Sequence, residues 1–499
     1  MTVGLTRRAI SGVKWNGILT AGRAAVQLVA VAMLSRLLAP SDFGLVGMAS
    51  VVTGLVHTFE DLGLANSVIQ NQDATKEQLS SVFWFNVIFG LTLFVLIWIA
   101  TPLVTAYYRE PALKHMLRWS STSFIVSPAS GQFHGLLRKD LQFRLRTKVS
   151  LVALLAQSCI SLGLAVIGIG AMSLVWGTLG GAVVSAICVT LIASRSGWLP
   201  EFRFHWADLA GFFEFGLYQS AGRALKYLSR NADYLIIGRL LGAEPLGYYT
   251  LAHNLMRLPL GYLNPMINVV AFPVFARIQD DEARVGKGYS RILRYLATGT
   301  APTMAGTMVL AHVLIPVVYG PQWLPAVPVV RVFAGLGILL SLGDPIESLL
   351  LAKGEAHLLL YLNALAVSGF AASSLVGSRY GILGAAWASL LFTLFVLLPI
   401  ELIFINRFAR LSLERIWASV NGALLAAAVM GASVGAVSAA MSTVEVEPVL
   451  EMATGVAFGV IVYTSSLWLF DRDFFTALVS DFEIDRFVSN TYSGFHRVV

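Results

Sequence analysis

Residues 82–106 read V-F-W-F-N-V-I-F-G-L-T-L-F-V-L-I-W-I-A-T-P-L-V-T-A, a run without a single charged side chain. A helix needs about 20 mostly apolar residues to cross the hydrocarbon core of a bilayer. Runs of this kind recur along the whole sequence and leave no room for a soluble domain. The sequence therefore predicts an all-α integral membrane protein.

The composition supports this prediction. Of the 499 residues, 57% are hydrophobic and 13% are charged, whereas soluble domains carry about 25% charged residues. We predict about 14 transmembrane helices. They lie near residues 10–38, 43–64, 82–106, 117–137, 149–169, 172–193, 210–241, 246–273, 293–318, 327–352, 357–377, 381–405, 416–440 and 450–470.

The distribution of basic residues predicts the orientation, because cytoplasmic loops of membrane proteins carry an excess of Lys and Arg. With a cytoplasmic N-terminus, the cytoplasmic segments hold 23 of the 35 basic residues, the opposite side holds 7 and the helices hold 5. We therefore expect both termini in the cytoplasm and an external loop around Glu445.

Two stretches 203 residues apart indicate an internal repeat. Residues 34–49 read L-S-R-L-L-A-P-S-D-F-G-L-V-G-M-A, and residues 237–252 read I-G-R-L-L-G-A-E-P-L-G-Y-Y-T-L-A. Halves with an even number of helices share one topology and are related by an axis along the membrane normal. We predict two six-helix lobes around a central cavity, an N-lobe over 1–200 (helices 1–6) and a C-lobe over 201–406 (helices 7–12). Residues 407–470 then form two accessory helices, 13 and 14.

Helix 7 carries a polar stripe. Gln219, Arg223, Lys226 and Arg230 are spaced four, three and four residues apart, which places them on one face. Subtracting the repeat spacing of 203 from these residue numbers gives positions on helix 1 that also form a polar stripe. Helix 8 carries further polar residues. The residues that we predict to bind substrate are Arg23, Gln27, Arg223, Lys226, Arg230, Asn254 and Arg257.

The cations on these helices need a polar environment, because each costs roughly 2.5–3.5 kcal/mol at the bilayer centre if it faces lipid. Arg and Lys bind phosphate through charge-assisted hydrogen bonds. We therefore predict a hydrated cationic cavity between the lobes that binds an anion such as a diphosphate. The alternative is ion pairing inside the protein, and six carboxylates are available for it, namely Glu60, Asp61, Glu214, Asp233, Asp344 and Glu347.

Carboxylates inside the predicted helices are candidates for coupling transport to an ion, and they are Asp61, Asp344 and Glu347. Prolines interrupt two apolar runs, Pro128 in helix 4 and Pro345 in helix 10. Because proline removes a helical hydrogen bond, such segments border either a cavity or a packing kink. The chain lacks the nucleotide-binding motif G-x-x-x-x-G-K-[ST], so we expect no nucleotide partner. A proton or sodium gradient, or consumption of the product, would supply the energy.

Other features of the sequence indicate segments that anchor the chain at the membrane surface. Trp119 and Trp323 lie near predicted helix ends, as in interfacial aromatic belts. Residues 471–499 form a cytoplasmic tail, where Phe474 and Phe475 belong to an apolar stripe typical of an interfacial helix. The histidines lack metal-ligand spacing. We expect no metal, no other cofactor and, because the bases lie in short loops, no nucleic-acid partner.

Several spaced motifs resemble one known family over about residues 8–405. The motifs are residues 34–49, E-D-L-G-L-A-N-S-V-I-Q (60–70), G-L-L-R-K-D-L-Q-F (135–143), Y-L-S-R-N-A-D-Y-L-I-I-G-R-L-L-G (227–242) and W-L-P-A-V-P-V-V-R (323–331). They resemble the bacterial polysaccharide exporters, the Wzx-like flippases of the multidrug/oligosaccharidyl-lipid/polysaccharide exporter superfamily.

The resemblance implies two six-helix lobes around a V-shaped cavity and alternating access in the bacterial inner membrane. The implied substrate is an undecaprenyl-diphosphate-linked oligosaccharide repeat unit, moved from the cytoplasmic to the periplasmic leaflet for exopolysaccharide, capsule or O-antigen synthesis. Membrane lipids, a polysaccharide polymerase and glycosyltransferases are the implied partners. The alternatives are an ion-coupled drug antiporter of the same superfamily and an enzyme, namely a membrane polymerase or ligase of lipid-linked glycans. We expect a transporter, not an enzyme.

Overall fold

The structure is a computed structural model, and it describes residues 22, 25–60, 62, 75–139, 142–195, 199–206, 210–444, 446–472 and 474–476. At 210–219, 265–270, 129, 138, 143, 221 and 229 it describes the backbone only. Every regular element among these residues is a helix. The predicted all-α class is therefore confirmed.

The helices follow the predicted apolar runs. Up to residue 241 they are α1 (Ala25–Leu37), α2 (Pro40–His57), α3 (Lys76–Tyr108), α4 (Leu113–Ser121), α5 (Ser123–Lys139), α6 (Phe143–Val166), α7 (Met172–Arg195) and α8 (Ala210–Leu241). Predicted helix 4 corresponds to both α4 and α5.

The remaining helices continue this pattern. They are α9 (Ala243–Ile278), α10 (Glu282–Leu314), α11 (Val327–Gly343), α12 (Pro345–Ala352), α13 (Ala356–Gly377), α14 (Gly381–Phe392), α15 (Leu398–Ala409), α16 (Leu413–Thr443) and α17 (Pro448–Phe470). A π-helical segment, Thr393–Leu397, joins α14 to α15.

Among the described residues, eight helical segments are long and apolar enough to cross a membrane. They are Lys76–Tyr108, Arg144–Val166, Met172–Arg195, Glu282–Val318, Pro321–Ala352, Ala356–Ala409, Leu413–Thr443 and Pro448–Phe470. The helix α8, with its polar stripe, does not belong to this set although it has 32 residues. The total of about 14 transmembrane helices stays a prediction.

Local sequence sets the ends of α3. Thr75 Oγ1 accepts a hydrogen bond from Gln78 N, and Gln78 Oε1 accepts one from Thr75 N. This reciprocal capping box satisfies backbone donors at the start of the helix. The helix ends where Arg109 adopts a left-handed conformation with φ 59°. The observed helix is therefore longer than the predicted run at both ends.

The chain packs as two compact units. The first unit comprises Met1–Leu251, Val318–Trp323 and Asn363–Ala388, and the second comprises Ala252–Val317, Leu324–Leu362 and Ser389–Val499. The predicted lobes and their boundary at residue 200 come from the sequence repeat and stay a prediction.

The repeat appears in the helix boundaries. The helix α2 begins at Pro40 and α9 begins at Ala243, which are 203 residues apart in the sequence. Equivalent stretches of the two halves therefore start a helix at equivalent positions.

Pro128 and Pro345 have different effects on the helical backbone. The helix α5 continues through Pro128, which packs against Gly90 of α3: a Cβ built on Gly90 would lie 2.6 Å from Pro128 Cγ. Pro345, in contrast, separates α11 from α12, with Asp344 between them. Pro128 therefore belongs to a packing contact, and Pro345 marks a break.

The prediction of an interfacial anchor is wrong for Trp323. This side chain is fully buried in the first unit, where its Nε1 donates a hydrogen bond to the carbonyl oxygen of Ser35 at 2.9 Å. Its ring packs edge-on against Phe43 and Tyr248. Trp323 thus fixes the end of α1, a tertiary role that its position near a helix end does not reveal. Trp119 is 43% exposed and lies against Trp176.

In the second unit, the predicted accessory helices α16 and α17 pack on α10. Their shared core is apolar and consists of Ala301, Leu310, Ala426, Ala427, Met430, Val434, Tyr463 and Leu467. At its edge Arg294 of α10 forms an ion pair with Asp471 at 2.7 Å and lies over the ring of Phe474. Phe474 is buried, and the rest of the predicted apolar tail beyond 476 lies outside the described residues.

Candidate functional site

The predicted cationic stripe lies on one uninterrupted helix, α8, in the first unit. Arg223 and Lys226 are half-buried, and Arg230 is exposed. Arg223 Nη2 donates a hydrogen bond to Ser220 Oγ at 3.0 Å, and Ser220 is fully buried. The guanidinium of Arg223 is therefore oriented by the preceding turn of its own helix. For Gln219 the structure describes the backbone only.

Packing against α2 fixes the direction of this stripe. Tyr227 Oη donates a hydrogen bond to the carbonyl oxygen of Ser50 at 2.8 Å, and its ring fills the space left by Gly54. At about 100° per residue, the three cations lie about 40–100° around the helix axis from Tyr227. The cationic side is thus adjacent to the α2 contact and distinct from it.

Asp233 lies one turn beyond Arg230 and is buried. Its Oδ2 accepts a hydrogen bond from Tyr249 Oη at 2.9 Å, and its Oδ1 accepts one from Tyr234 N at 3.0 Å. Glu60 accepts from the ring of His57 at 2.8 Å. These two carboxylates therefore have partners in the first unit that the sequence did not suggest. Glu214 lies where the structure describes the backbone only.

The predicted residues of helix 8 lie on α9, in the second unit. Asn254 is exposed and Arg257 is half-buried. His253, one turn before Arg257, is buried and its ring faces Phe333. On α1, Gln27 is exposed. Arg23 lies outside the described residues, so the predicted match between the stripes of helices 1 and 7 stays a prediction.

Two of the predicted ion-coupling carboxylates lie at the break of helix 10. Asp344 occupies the junction between α11 and α12, and Glu347 lies in the first turn of α12. Both are half-buried. Asp61, the third, lies outside the described residues.

Two further polar residues of the second unit, Glu401 and Tyr289, were not predicted from the sequence. Glu401 of α15 has its carboxylate against Gly343, where a Cβ would lie 2.7 Å from Oε1. Tyr289 of α10 is fully buried, and its hydroxyl makes no hydrogen bond with any residue that the structure describes. A signal for Glu401 was present, because it is the one charged residue between 381 and 406.

The buried carboxylate of Glu451 was not predicted from the sequence either. Glu451 of α17 accepts a hydrogen bond from Ser438 Oγ at 2.5 Å, and His312 Nε2 lies 3.5 Å from Glu451 Oε1. The three residues belong to α10, α16 and α17. The cluster joins the accessory helices to α10 through polar contacts.

Comparison with known proteins identifies the family. Residues 33–328 match the family described as polysaccharide biosynthesis protein. The teichuronic acid biosynthesis protein TuaB of Bacillus subtilis (strain 168) is 30% identical over 475 residues, which cover 92% of this chain and 95% of that protein. The lipopolysaccharide biosynthesis protein WzxC of Escherichia coli (strain K12) is 31% identical over 377 residues, 75% and 76% of the two chains.

A solved structure supports the fold. The lipid II flippase MurJ in an inward closed conformation has a TM-score of 0.72 against this chain, covering 92% of this chain and 99% of its own. The sequence identity is 14%, so this likeness concerns the fold alone.

These similarities confirm the resemblance that the sequence motifs indicated. The family match spans more than half of the chain, and TuaB aligns along nearly all of it. The apolar helices add that the chain crosses a membrane several times. This protein is a multi-pass membrane protein and belongs to the polysaccharide biosynthesis protein family.

Proposed function

We propose that this protein is a flippase of the bacterial inner membrane. It moves an undecaprenyl-diphosphate-linked oligosaccharide repeat unit from the cytoplasmic to the periplasmic leaflet by alternating access, with both termini in the cytoplasm. The observation that carries the proposal is the cationic side of α8. The similar proteins TuaB and WzxC, which are named for polysaccharide biosynthesis, support it.

The chemistry of this substrate fits the side chains of α8. A diphosphate bridge is a compact dianion, and Arg and Lys are the side chains that bind phosphate oxygens through charge-assisted hydrogen bonds. Arg223 and Lys226 are half-buried, where water screens a charge pair less than at the surface. The sugars would stay in a hydrated path while the prenyl chain remains in lipid.

An ion-coupled drug antiporter is the second candidate. Cationic drugs need carboxylates at their binding site, but the stripe on α8 presents three cations. A polymerase or ligase is the third candidate, and it would need a sizeable external region for catalysis. Connections on the predicted external side are short, as at residues 109–112 between α3 and α4 and at 167–171 between α6 and α7.

Neighbouring reactions would supply and consume the substrate. Glycosyltransferases would assemble the lipid-linked unit on the cytoplasmic side, and a polymerase would use it on the other side. We propose that an ion gradient or the consumption of the product drives transport, without nucleotide hydrolysis.

The test is the location of the lipid-linked repeat unit in cells that lack this protein. We expect single lipid-linked units to accumulate on the cytoplasmic side of the membrane. Unpolymerised units on the outside would contradict flipping and indicate a polymerase. Export of cationic dyes by the purified protein in liposomes, with no movement of a polyprenyl-diphosphate oligosaccharide, would favour the antiporter. ATP hydrolysis in step with flipping would contradict the energy source.

A further inference from the structure

We propose that His312, Ser438 and Glu451 form a proton-binding site that controls how the accessory helices α16 and α17 pack on α10. Each of the three helices contributes one of these side chains, and all three belong to the second unit. The inference does not depend on the proposed function, because it concerns a conformational property of this unit whatever the chain transports.

Glu451 is a buried carboxylate that needs a positive partner. It is the one charged residue of α17 (Pro448–Phe470), and its side chain is 8% exposed. The sequence of the accessory helices from 416 to 470 contains no Lys, Arg or His. A buried charge without a counter-charge is costly. The counter-charge for Glu451 must therefore come from a different helix.

His312 of α10 is placed to supply it. It is the one residue between Arg294 and Arg331 that can carry a positive charge. Its Nε2 lies 3.5 Å from Glu451 Oε1 and 3.3 Å from Ser438 Oγ. Its side chain is 42% exposed, so a proton can reach the ring without separating the helices. Imidazole is the side chain whose charge ordinarily changes between about pH 5 and 8.

The hydrogen bonds determine how many protons the site holds. The carbonyl oxygen of Val309 can only accept, so His312 Nδ1, 3.1 Å away, carries a proton. The hydroxyl of Ser438 donates its single proton to Glu451 Oε1 at 2.5 Å. Nε2 then faces lone pairs on both oxygens and needs a proton of its own to bond them. The site therefore holds one proton more than a neutral imidazole, a hydroxyl and a carboxylate.

A second distribution of the protons gives the same number. If Glu451 is protonated, it donates to Ser438 Oγ, and Ser438 donates to a neutral Nε2. Both distributions are electrically neutral overall, and both join α10, α16 and α17 through hydrogen bonds. The geometry thus requires the additional proton wherever it resides.

Loss of this proton weakens the contact. The lone pair of His312 Nε2 would then face the ionised carboxylate of Glu451, and the buried charge would receive no counter-charge from α10. Apolar contacts such as that between Leu310 of α10 and Gly455 of α17 would remain. We therefore expect α16 and α17 to loosen at this end. With the predicted orientation, this end of α16 lies outside, so the external pH would govern the packing.

Other titratable groups at this end contribute little in the same pH range. Among the described residues of α16, α17, α10 and α11, which packs on α10, they are Glu447 before α17, Arg331 on α11 and Tyr319 after α10. Glu447 and Arg331 are exposed, so solvent screens their charges. Tyr319 is buried, and a phenol is neutral where imidazole titrates. The pH response at this end therefore reflects His312 and Glu451.

The carboxylates of the neighbouring helices lie farther along α10. Thr300 of α10 contacts Ser341 of α11 through their hydroxyls at 2.9 Å. Thr300 precedes His312 by 12 residues, which is about 18 Å along the helix. The carboxylates that follow Ser341 or pack beside it lie at or beyond this level, and they are Asp344, Glu347 and Glu401.

The pH dependence has a definite sign. The folded site holds a proton that the separated His and Glu side chains of the unfolded chain release as the solution becomes neutral. Because the folded state binds more protons, stability falls as the pH rises through the imidazole range. One proton corresponds to a change of at most about tenfold in the unfolding equilibrium constant per pH unit.

The experiment follows the Tm of the full-length protein in detergent from about pH 5 to 8, the range in which imidazole titrates. Glu451→Gln offers an amide that can accept from Ser438 and donate to Nε2 without titrating, so the Tm of the wild type should fall relative to this variant as the pH rises. His312→Gln should flatten the pH response as well. His357 pairs with Glu355 at 3.4 Å, but these side chains are 62% and 32% exposed. His357→Gln should therefore keep the response of the wild type.

The shape of these curves distinguishes a proton site from an ordinary contact. A merely structural role of Glu451 or His312 would lower the Tm by the same amount at every pH. Curves of Glu451→Gln and His312→Gln that run parallel to the wild type would therefore overturn the site.

Hydrogen exchange shows whether the proton controls the accessory helices. The wild type and Glu451→Gln are compared at the same pH, so that the intrinsic exchange rates cancel. At about pH 8 the amides near the end of α16 and the start of α17 should exchange up to about tenfold faster in the wild type, whereas at about pH 5 the two should coincide. Equal exchange at both values would overturn the control of packing. If Glu451→Gln does not fold, His312→Gln decides, because its Glu451 lacks a counter-charge at about pH 6 and should exchange faster than the wild type there.

Discussion

Gly44 of α2 and Gly247 of α9 lie at equivalent positions of the two repeats, and each packs against the first residue of the other's helix. A Cβ on Gly44 would overlap the carbonyl oxygen of Ala243, and a Cβ on Gly247 would overlap that of Pro40. The contact is therefore reciprocal, with each repeat contributing the same glycine and the same helix start. Small residues permit this close approach of helices in membranes.

Alanine at either glycine should destabilise the first unit. The added methyl group meets backbone atoms, which cannot rotate away, so we expect Gly44→Ala and Gly247→Ala each to cost about 3 kcal/mol or more, at or above the upper end for overpacking. The measurement is thermal unfolding of the purified protein, with membrane abundance beside it. Among the described residues, no neighbouring atom lies within 4 Å of the Cβ position of Gly163 in α6, so Gly163→Ala should be neutral or stabilising by about 0.5–1 kcal/mol. Equal stability of all three variants would contradict the contact.

Much of the fold could be predicted because it depends on local sequence. An uncharged, apolar run as long as residues 82–106 predicts a transmembrane helix. A capping box at Thr75 fixes where α3 begins. The repeat was visible as well, because Gly44 and Gly247 fall in register. The contact between these glycines was not predictable, since it depends on how α2 and α9 cross. Trp323 was misinterpreted for the same reason: its buried hydrogen bond to Ser35 joins residues 288 apart.

The candidate site residues also fall into two groups, those that local sequence reveals and those that only tertiary packing brings together. Arg223, Lys226 and Arg230 could be found because a helix turns a spacing of three and four into a shared face. Glu401 and Tyr289 have no such periodic signal. The contact of Glu401 with Gly343 arises only when α15 packs against the end of α11, which is tertiary information.

The orientation gives a labelling prediction. Thr443 at the end of α16 and Lys148 on α6 are both exposed, and the charge distribution predicts Thr443 outside and Lys148 inside. In a chain with Cys159→Ser and Cys188→Ser, an impermeant thiol reagent added to whole cells should label Thr443→Cys and not Lys148→Cys. The reverse pattern would invert the topology. Thr147, the neighbour of Lys148, is 1% exposed and would stay unlabelled on either side.

The ion pair between Arg294 and Asp471 should stabilise the end of α17 on α10. Their side chains are 34% and 11% exposed, so removing one charge strands the other in a largely buried place. We expect Asp471→Asn to lower the free energy of unfolding by about 3 kcal/mol, near the lower end for buried pairs. The pair of Arg410 with Glu282 is mostly exposed, and Glu282→Gln should cost about 1 kcal/mol or less. Thermal unfolding of both variants checks this, and equal losses would show that burial is not the cause.

Removing a cation from the predicted binding faces should reduce transport while leaving the protein folded. We expect Lys226→Ala and Arg257→Ala to lower polysaccharide export about tenfold or more, the loss expected for a charge-assisted hydrogen bond. Arg23→Ala extends the test to helix 1. Arg415, exposed at the start of α16, provides the control Arg415→Ala, which should export normally. If these cations served internal ion pairs, abundance would fall together with export and recover when a partner carboxylate is also neutralised.

Substitutions of Arg223 distinguish the effect of its positive charge from the effect of its hydrogen-bonding geometry. Arg223→Lys keeps the positive charge but replaces a planar fork of donors by a single ammonium group, and it also loses the hydrogen bond from Nη2 to Ser220 Oγ. Because a diphosphate offers paired oxygens, we expect Arg223→Lys to lose nearly as much export as Arg223→Ala at normal abundance. Ser220→Ala should cause a smaller loss in the same direction, since it frees the guanidinium without removing it. Full export by both Arg223→Lys and Ser220→Ala would mean that Arg223 supplies only positive potential, and the phosphate would then have to be oriented by other residues.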